Sequence, residues 1–318
     1  MGKSSYLARA ARICVLVAGC ALAQSASALY VGEYAIGDFV PGASGGCDGG
    51  DRGDWPGMAQ AWWDHMGVHG HYKGPAGSPY QYVNGNMTVR RFCDTSSTLS
   101  GLAGGACQDN QSASPAGVDW MDAAIIATHG WDDGDHWGAL MRYPWKGECG
   151  LRMGGSSNQV KIGDDWLMFL IASSCQSADD DNLNGIRFAM QDTSTSTSRR
   201  AHQFDGFHGL MWIWNAYNGN YSETAHDGHS VSIAYSWVTN NYKSNSQGCE
   251  AYDPFNWFGT CSDQCPVGYA ISNTPGNALT RLNNERYNFT YGDPPGNQYY
   301  AWMAYLGCDP VGETAWNP

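Results

Sequence analysis

The sequence predicts an α/β domain: a mostly parallel sheet with helices on its faces, stabilised by disulfides. Two observations carry the sheet and a third the disulfides. Residues 122–128 and 166–173 are continuous apolar runs rather than alternating ones, which is how strands covered on both faces of a parallel sheet read. Segments of helical spacing are mixed with such runs along the chain. The 11 cysteines accompany an export-type leader, and exported chains pair most of their thiols. With 318 residues the chain can bury a full core.

Taken in order, Tyr30 to Phe39 reads as a first strand. Residues 55–66 read as a helix, with Pro56 in its first turn, Gly67 as its stop and Met58, Trp62 and Met66 on its buried face. In "YQYVNGNMTVRRF", Asn84-Gly85 marks a hairpin or a turn beside a strand. Residues 95–116 read as loop, and 138–165 as short strands and turns. "FHGLMWIWN" (207–215) is a third buried-strand candidate. Val231, Ala234, Val238 and Tyr242 recur at helical spacing, with Trp237 beside them. Residues 192–201 form a Ser/Thr-rich linker loop. The part from 202 to 318 ends, beyond Ser244, in a disulfide-stapled extension of the same domain, so that 29–191 is the core and 29–318 a single domain.

The leader is expected at residues 1–28. Lys3, Arg9 and Arg12 form its basic head, Ile13 to Ala23 its apolar run, and Ala26-Ser27-Ala28 a small-x-small cleavage site. A lipoprotein box, "VAGC" with an anchor at Cys20, is the alternative. No later stretch reads as a membrane span. Loss of the leader removes three of the 17 Lys and Arg and none of the 30 Asp and Glu, so the net charge becomes still more negative than −13. Such a surface repels nucleic acid and suits basic peptides or cations.

Cys14 and Cys20 leave with the leader. Of the nine that remain, most of Cys47, Cys93, Cys107, Cys149, Cys249, Cys261, Cys265 and Cys308 sit in polar, turn-like contexts, whereas Cys175 alone follows a long apolar strand. Nine is odd, and Cys175 is the natural thiol left over; the pairing of the others stays open.

The chemistry gathers at the ends of the two buried strands. "AAIIATHGWDDGDH" (Ala123–His136) stops at His129-Gly130, and "WLMFLIASSCQSADDD" stops at Cys175. Functional groups of parallel α/β sheets sit outside the carboxyl ends of the strands. A Cys needs a base to attack at neutral pH, and His is its usual partner. Gly130 lets its N–H approach a substrate carbonyl and, with the N–H of Cys175, hold an oxyanion.

An apolar strand ending in His-Gly, followed about fifty residues later by one ending in Cys, resembles the caspase-like cysteine peptidases, the clan of caspases, metacaspases, legumain, gingipains and clostripain. The wider frame "GVDWMDAAIIATHG … LMFLIASSC … FDGFHGLMWIWN … LNNERYNFTYGD" resembles a little-characterised secreted bacterial group of that clan. The resemblance implies a caspase–haemoglobinase-like three-layer sandwich, a mostly parallel central sheet with helices on both faces. It also implies a peptide or protein substrate, Cys175 as nucleophile and His129 as general base and acid, with no required cofactor. One departure stands out: Ser173-Ser174 precede the cysteine where metacaspases carry Asp-Ser and caspases Gln-Ala.

Asp132, Asp133, Asp135 and Asp179–Asp181 flank this site in sequence and would favour Arg or Lys before the cut bond; Arg199-Arg200 would then be a self-processing site. His208 is a further candidate for the substrate pocket. Calcium is a candidate ligand at Asp180, Asn182 and Asn184, the first half of a calcium loop whose twelfth position is Gln191 rather than Glu. Two rival readings are a catalytically inactive binding or surface protein on the same scaffold and a metal-dependent hydrolase built on "THGWDDGDH". His65, His69 and His71 have ligand-like spacing, but Gly67 and Gly70 are expected to break the helix that would align them. They and His226 and His229 therefore read as solvated loop histidines. The 14 Trp read mostly as core.

Overall fold

The computed structural model describes residues 28–85, 87–94, 107–112, 115–154, 160–163, 165–190, 201–244 and 263–305. The fold is mixed α/β around a mostly parallel seven-stranded sheet. The first strand, β1 (Val31–Ala35), is followed by helix α1 (Asp54–Val68), β2 (Gln81–Val83) and β3 (Ala123–Ala127). A three-stranded antiparallel sheet comes next, made of β4 (Gly130–Asp132), β5 (His136–Trp145) and β6 (Glu148–Gly154). Then come β7 (Phe169–Ser173), α2 (Leu183–Ala189), β8 (Gln203–His208), α3 (Asn218–Asp227) and α4 (Ile233–Asn241). The last elements are β9 (Cys265–Ser272), α5 (Pro275–Asn284) and β10 (Tyr299–Ala304).

The large sheet has the order β10-β9-β8-β7-β3-β1-β2, and β9 alone runs against the rest. β1, β3 and β7 are buried at every position, which is why their sequences carry no polar–apolar alternation. Helix α1 buries Met58, Trp62 and Met66, as its spacing predicts, and Trp63 Nε1 donates to the Val31 carbonyl beneath it. Helices α1, α4 and α5 pack on one face of the sheet, and α3 packs between α1 and α4. On the other face lie α2 and the three-stranded sheet: the Tyr269 hydroxyl donates to the Leu183 carbonyl, and Trp137 meets Phe204 edge-on.

Of the two readings of Asn84-Gly85, the turn beside a strand holds and the hairpin does not: β2 pairs parallel to β1, and Asn84, at φ 57°, turns the chain and accepts the N–H groups of Gly37 and Asp38. The strand near "FHGLMWIWN" lies earlier, at Gln203–His208, and 209–214 is not strand. Among the described residues, the extension beyond Ser244 supplies two strands of the large sheet and a helix. The expected leader up to Ser27 and residues 192–200 of the expected linker, with Arg199-Arg200, lie outside the described residues.

Among the described residues the pairs Cys47–Cys149 and Cys93–Cys107 are disulfides, Cys265 is disulfide-bonded as well, and Cys175 is the free cysteine. The pairing fits an oxidising, extracellular setting. No helix among the described residues is long and apolar enough to cross a membrane.

A polar anchor sets the entry to β7. Asp119, fully buried, accepts the backbone N–H groups of Gly163, Asp165, Trp166 and Leu167. Removing it orphans buried donors, each costing about 1–3 kcal/mol. Asp119→Ala is therefore expected to lose several kcal/mol of stability, checked by denaturant unfolding; a loss within about 0.5 kcal/mol, the surface-substitution range, would contradict this role.

Candidate active site

The carboxyl ends of the parallel strands open into a cleft of about 530 Å³, within the usual range for ligand sites. Its walls come from the segment after β1 (Asp51–Trp55), from His129 after β3, from Cys175 after β7, and from Leu210–Trp214 with Tyr217 after β8. The chain passes from β1 outward to β2 and then returns to the other side of β1 for β3. The cleft therefore lies beside a topological switch point, where open α/β sheets bind ligands.

Register brings the pair together. β3 and β7 are neighbours with Ala127 opposite Ser173, and Thr128 N–H donates to the Ser173 carbonyl one residue beyond the ladder. Two residues further along each chain stand His129 and Cys175. His129 packs against Phe39 and Trp55, and its Nε2 lies 2.7 Å from the Gly50 carbonyl. A carbonyl only accepts, so Nε2 carries the proton and Nδ1 is left as the basic nitrogen of the neutral ring. Burial lowers the His129 pKa, the Gly50 contact offsets part of this, and the Arg52 charge adds to the fall.

Cys175 is partly exposed, and burial of its sulfur raises the thiol pKa despite N–H contacts from Met211 and its own backbone and the Arg52 charge. No hydrogen bond joins the thiol to the imidazole among the described residues. The resting pair is thus a neutral thiol and a neutral ring that line the same cleft. Gln176, next in the chain, has φ 55°, a conformation costly for a residue with a side chain. Its backbone N–H donates to Gly209, its carbonyl accepts from Asn182 Nδ2, and its side-chain carbonyl accepts the Asp132 N–H.

That last contact orients Gly130. Leu140 N–H donates to the His129 carbonyl, so His129 and Leu140 are a hydrogen-bonded pair. Gly130, opposite Ala139, then falls at a non-bonded position. Its N–H points away from β5, to the side where the Asp132 N–H meets Gln176. A side chain at Gly130 would stand 2.2 Å from Ser174 Oγ, 2.3 Å from the Cys175 carbonyl and 2.6 Å from Trp137 Nε1. Glycine is thus required by close packing of the cysteine turn. Gly130→Ala is expected to displace that turn and cut thiol reactivity at least tenfold while far-UV circular dichroism stays near wild type; unchanged reactivity would refute the tight fit.

The segment holding Gly50 is tethered by Cys47–Cys149 to β6. A closed loop of this size is worth up to about 5 kcal/mol in the chain-entropy picture. Replacing both cysteines by Ala is expected to lower the melting temperature and to free His129 from its fixed tautomer, seen as a changed imidazole NMR shift; an unchanged shift would mean that the tether does not orient the ring.

The other predicted residues stand elsewhere. Asp132 Oδ1 accepts the Gly134 N–H, and Asp133 accepts from Trp131 Nε1 and pairs with His136 at 3.1 Å. Neither lines the cleft, whose carboxylates are Asp51 and Asp54 beside Arg52. His208 is buried and faces Asp179 and Asp180, at 3.8 and 3.5 Å, rather than the cleft. His136 is held between Asp133 and Asp135. The calcium loop read from Asp180, Asn182 and Asn184 is not formed. Asp180–Asn182 is a 3-10 turn, the buried Asn182 gives its amide to Gln176, and Asn184 is exposed on α2. The carboxylates of Asp132, Asp179 and Asp181 converge within 4.8 Å instead. Ser173, where metacaspases carry Asp, bonds the Tyr221 hydroxyl at 2.7 Å. Sequence reasoning missed the cleft wall at Leu210–Trp214, the Gly50 carbonyl and Gln176. Only the first had a signal, an apolar run just past Gly209.

Comparison with known proteins finds no matching family model, no matching curated protein and no matching solved structure.

Proposed function

We propose that this chain is a secreted cysteine endopeptidase of the caspase-like kind, on a caspase–haemoglobinase-like scaffold. One observation carries the reading: a free thiol and an imidazole of defined tautomer, from the carboxyl ends of adjacent parallel strands, wall one cleft. In the mechanism, Cys175 Sγ attacks the carbonyl carbon of the scissile bond while His129 Nδ1 takes the thiol proton. The N–H groups of Gly130 and Cys175 hold the oxyanion. Collapse breaks the C–N bond, and His129 gives its proton to the leaving amine. Water, deprotonated by His129, then hydrolyses the thioester and restores the thiol.

The wall containing Leu210, Met211, Trp212, Ile213 and Trp214 favours apolar side chains near the cut bond. The acids expected to select Arg or Lys are engaged elsewhere, so a basic preference would rest on Asp51 and Asp54. A calcium ion, if the activity uses one, would meet Asp132, Asp179 and Asp181.

The test is a library of internally quenched peptides incubated with the processed chain and with Cys175→Ala. Cleavage by the first and not the second supports the reading. No cleavage by the first, together with a thiol that alkylates no faster than a free cysteine, would leave the inactive scaffold as the better account. The raised thiol pKa and the absent thiol–imidazole hydrogen bond are what favour that second reading.

A further inference from the structure

Away from the cleft, the far ends of α1 and α3 bring five histidines together: His65, His69, His71, His226 and His229. The helix is not broken where the sequence suggests. It runs through Gly67 to Val68, and Gly70, at φ 85°, turns the chain only afterwards. His65 and His69 therefore sit one turn apart at the end of α1, on one face. His226, in the last turn of α3, points between them, with its Nδ1 3.3 Å from His65 Nε2 and 3.3 Å from His69 Nε2.

Hydrogen-bond accounting divides the five. His71 Nδ1 accepts the Leu29 N–H, so its Nε2 carries the proton; His229 Nδ1 donates to the Ala225 carbonyl, so its Nε2 is an acceptor. Their 2.9 Å Nε2···Nε2 contact is then one well-defined hydrogen bond, and that pair is complete. The other three cannot be completed in this way. A neutral imidazole has one acceptor lone pair, yet His226 Nδ1 faces two Nε2 atoms at equal distance. A cation in their midst satisfies all three at once. A tetrahedral zinc ion with nitrogen ligands at about 2.0–2.1 Å sets those nitrogens about 3.3–3.4 Å apart, which is the separation of His226 Nδ1 from both His65 Nε2 and His69 Nε2. The three ligand atoms lie within 4.8 Å of one another. The outer partner that metal-bound histidines use is also present: Ser222 Oγ lies 2.9 Å from His65 Nδ1. His229 stacks on His69 at 3.8 Å and limits how that ring can turn.

We propose that His65, His69 and His226 bind one divalent transition-metal ion, with zinc as the fitting member of the class. All-imidazole ligation suits zinc, copper or nickel rather than calcium or magnesium. His69 and His226 are exposed and His65 half-buried, which leaves a fourth position for water. The first turns of the same two helices adjoin the cleft, through Asp54 and Trp55 on α1 and through Tyr217, which precedes α3. From Trp55 to His69 is about 20 Å along the helix at 1.5 Å per residue. The ion would clamp the two helices from their far ends and take no part in chemistry at Cys175.

The test uses the chain without an affinity tag, in a Cys175→Ser background that removes the cleft thiol as a competing ligand. After chelator treatment, zinc is returned by equilibrium dialysis. The expected result is one zinc per chain, a raised melting temperature, and, with cobalt(II) in its place, the visible absorption of a tetrahedral site. His226→Ala and His69→Ala are each expected to weaken binding at least a hundredfold and to abolish the cobalt band, and Ser222→Ala to weaken it tenfold or more. These side chains are at the surface, so circular dichroism should stay unchanged. Absence of saturable zinc binding to the background chain, or affinity unaltered in the His69→Ala/His226→Ala double variant, would overturn the proposal. Neither result bears on the peptidase reading, which Cys175 tests separately.

Discussion

Alkylation of Cys175 by iodoacetamide is expected to accelerate about tenfold per pH unit through neutrality and to continue rising beyond the ordinary thiol range, without a plateau at mildly acidic pH. The reason is electrostatic. Burial raises the Cys175 pKa and lowers that of His129, so the free protein holds a thiol and a neutral imidazole rather than a thiolate–imidazolium pair. Under the proposed mechanism the nucleophile is made during attack: the imidazole would take the proton as the sulfur bonds to carbon, and the Gly130 and Cys175 N–H groups would hold the oxyanion. Two consequences separate this from an inert buried cysteine. Peptide cleavage should depend on the neutral form of His129 and so persist into mildly acidic solution, where alkylation is already slow. His129→Ala should then reduce cleavage more than about a thousandfold while changing the alkylation rate of the resting thiol much less. A fast alkylation plateau at acidic pH would mean a preformed ion pair and a cleft rearranged from the one described. Equal loss of both activities in His129→Ala would give the ring a merely structural role.

How far the sequence disclosed this site depends on where each signal lies. β3 and β7 are uniformly apolar because both faces of the sheet are covered, and their termini name His129 and Cys175 directly. Helix α1 was equally legible from Met58, Trp62 and Met66. What failed were features whose cause is distant in sequence. β8 reads poorly as a strand because it buries Gln203 and Asp205. The Gln203 side-chain N–H groups donate to the Arg281 carbonyl and to Glu285, about eighty positions on. The run after Gly209 reads as core but forms the cleft wall, with Leu210 44% and Trp214 47% exposed. Apolar composition cannot separate a side chain buried by its own fold from one kept for a ligand. The acids of "WDDGD" were near His129 in sequence but are turned to Trp131, Gly134 and His136 by local bonds. Gly67 looked like a helix stop, yet α1 continues through it. That one error concealed the histidine cluster.

Stability should fall as pH rises from about 4.5 to 8, and Glu33→Gln should remove the share of that fall that Glu33 carries. Glu33 stands in the middle of β1, between β2 and β3, with its side chain wholly buried. Burial pushes its carboxyl from 4.5 up to about 8; the Gln81 hydrogen bond opposes this, Asp64 adds to it and Lys73 opposes it. The protonated acid is the form the core accepts. Between those two pH values the native protein keeps a proton that the unfolded chain has released, so unfolding becomes easier with each rise in pH. Each unit of pKa difference is about 1.4 kcal/mol, which puts the loss at about 3 kcal/mol by pH 7. The His202–Glu285 pair adds a slope of its own. Burial opposes charge on both, but each holds the other ionised, raising His202 and lowering Glu285. Its contribution is present between the lowered carboxyl and the raised imidazole and is lost as pH moves beyond either. Burial also raises the carboxyls of Asp119, Asp122 and Asp205, which add falls of the same sign, so a single pH curve mixes all of these. The difference between wild type and Glu33→Gln isolates Glu33, because the amide has nearly the shape of the protonated acid and can still meet Gln81. Urea unfolding at pH 5 should find the two proteins within about 1 kcal/mol, and at pH 8 should find the variant more stable by several kcal/mol. Parallel curves across that range would mean that Glu33 is ionised in the folded protein and that water or a cation reaches the centre of the sheet.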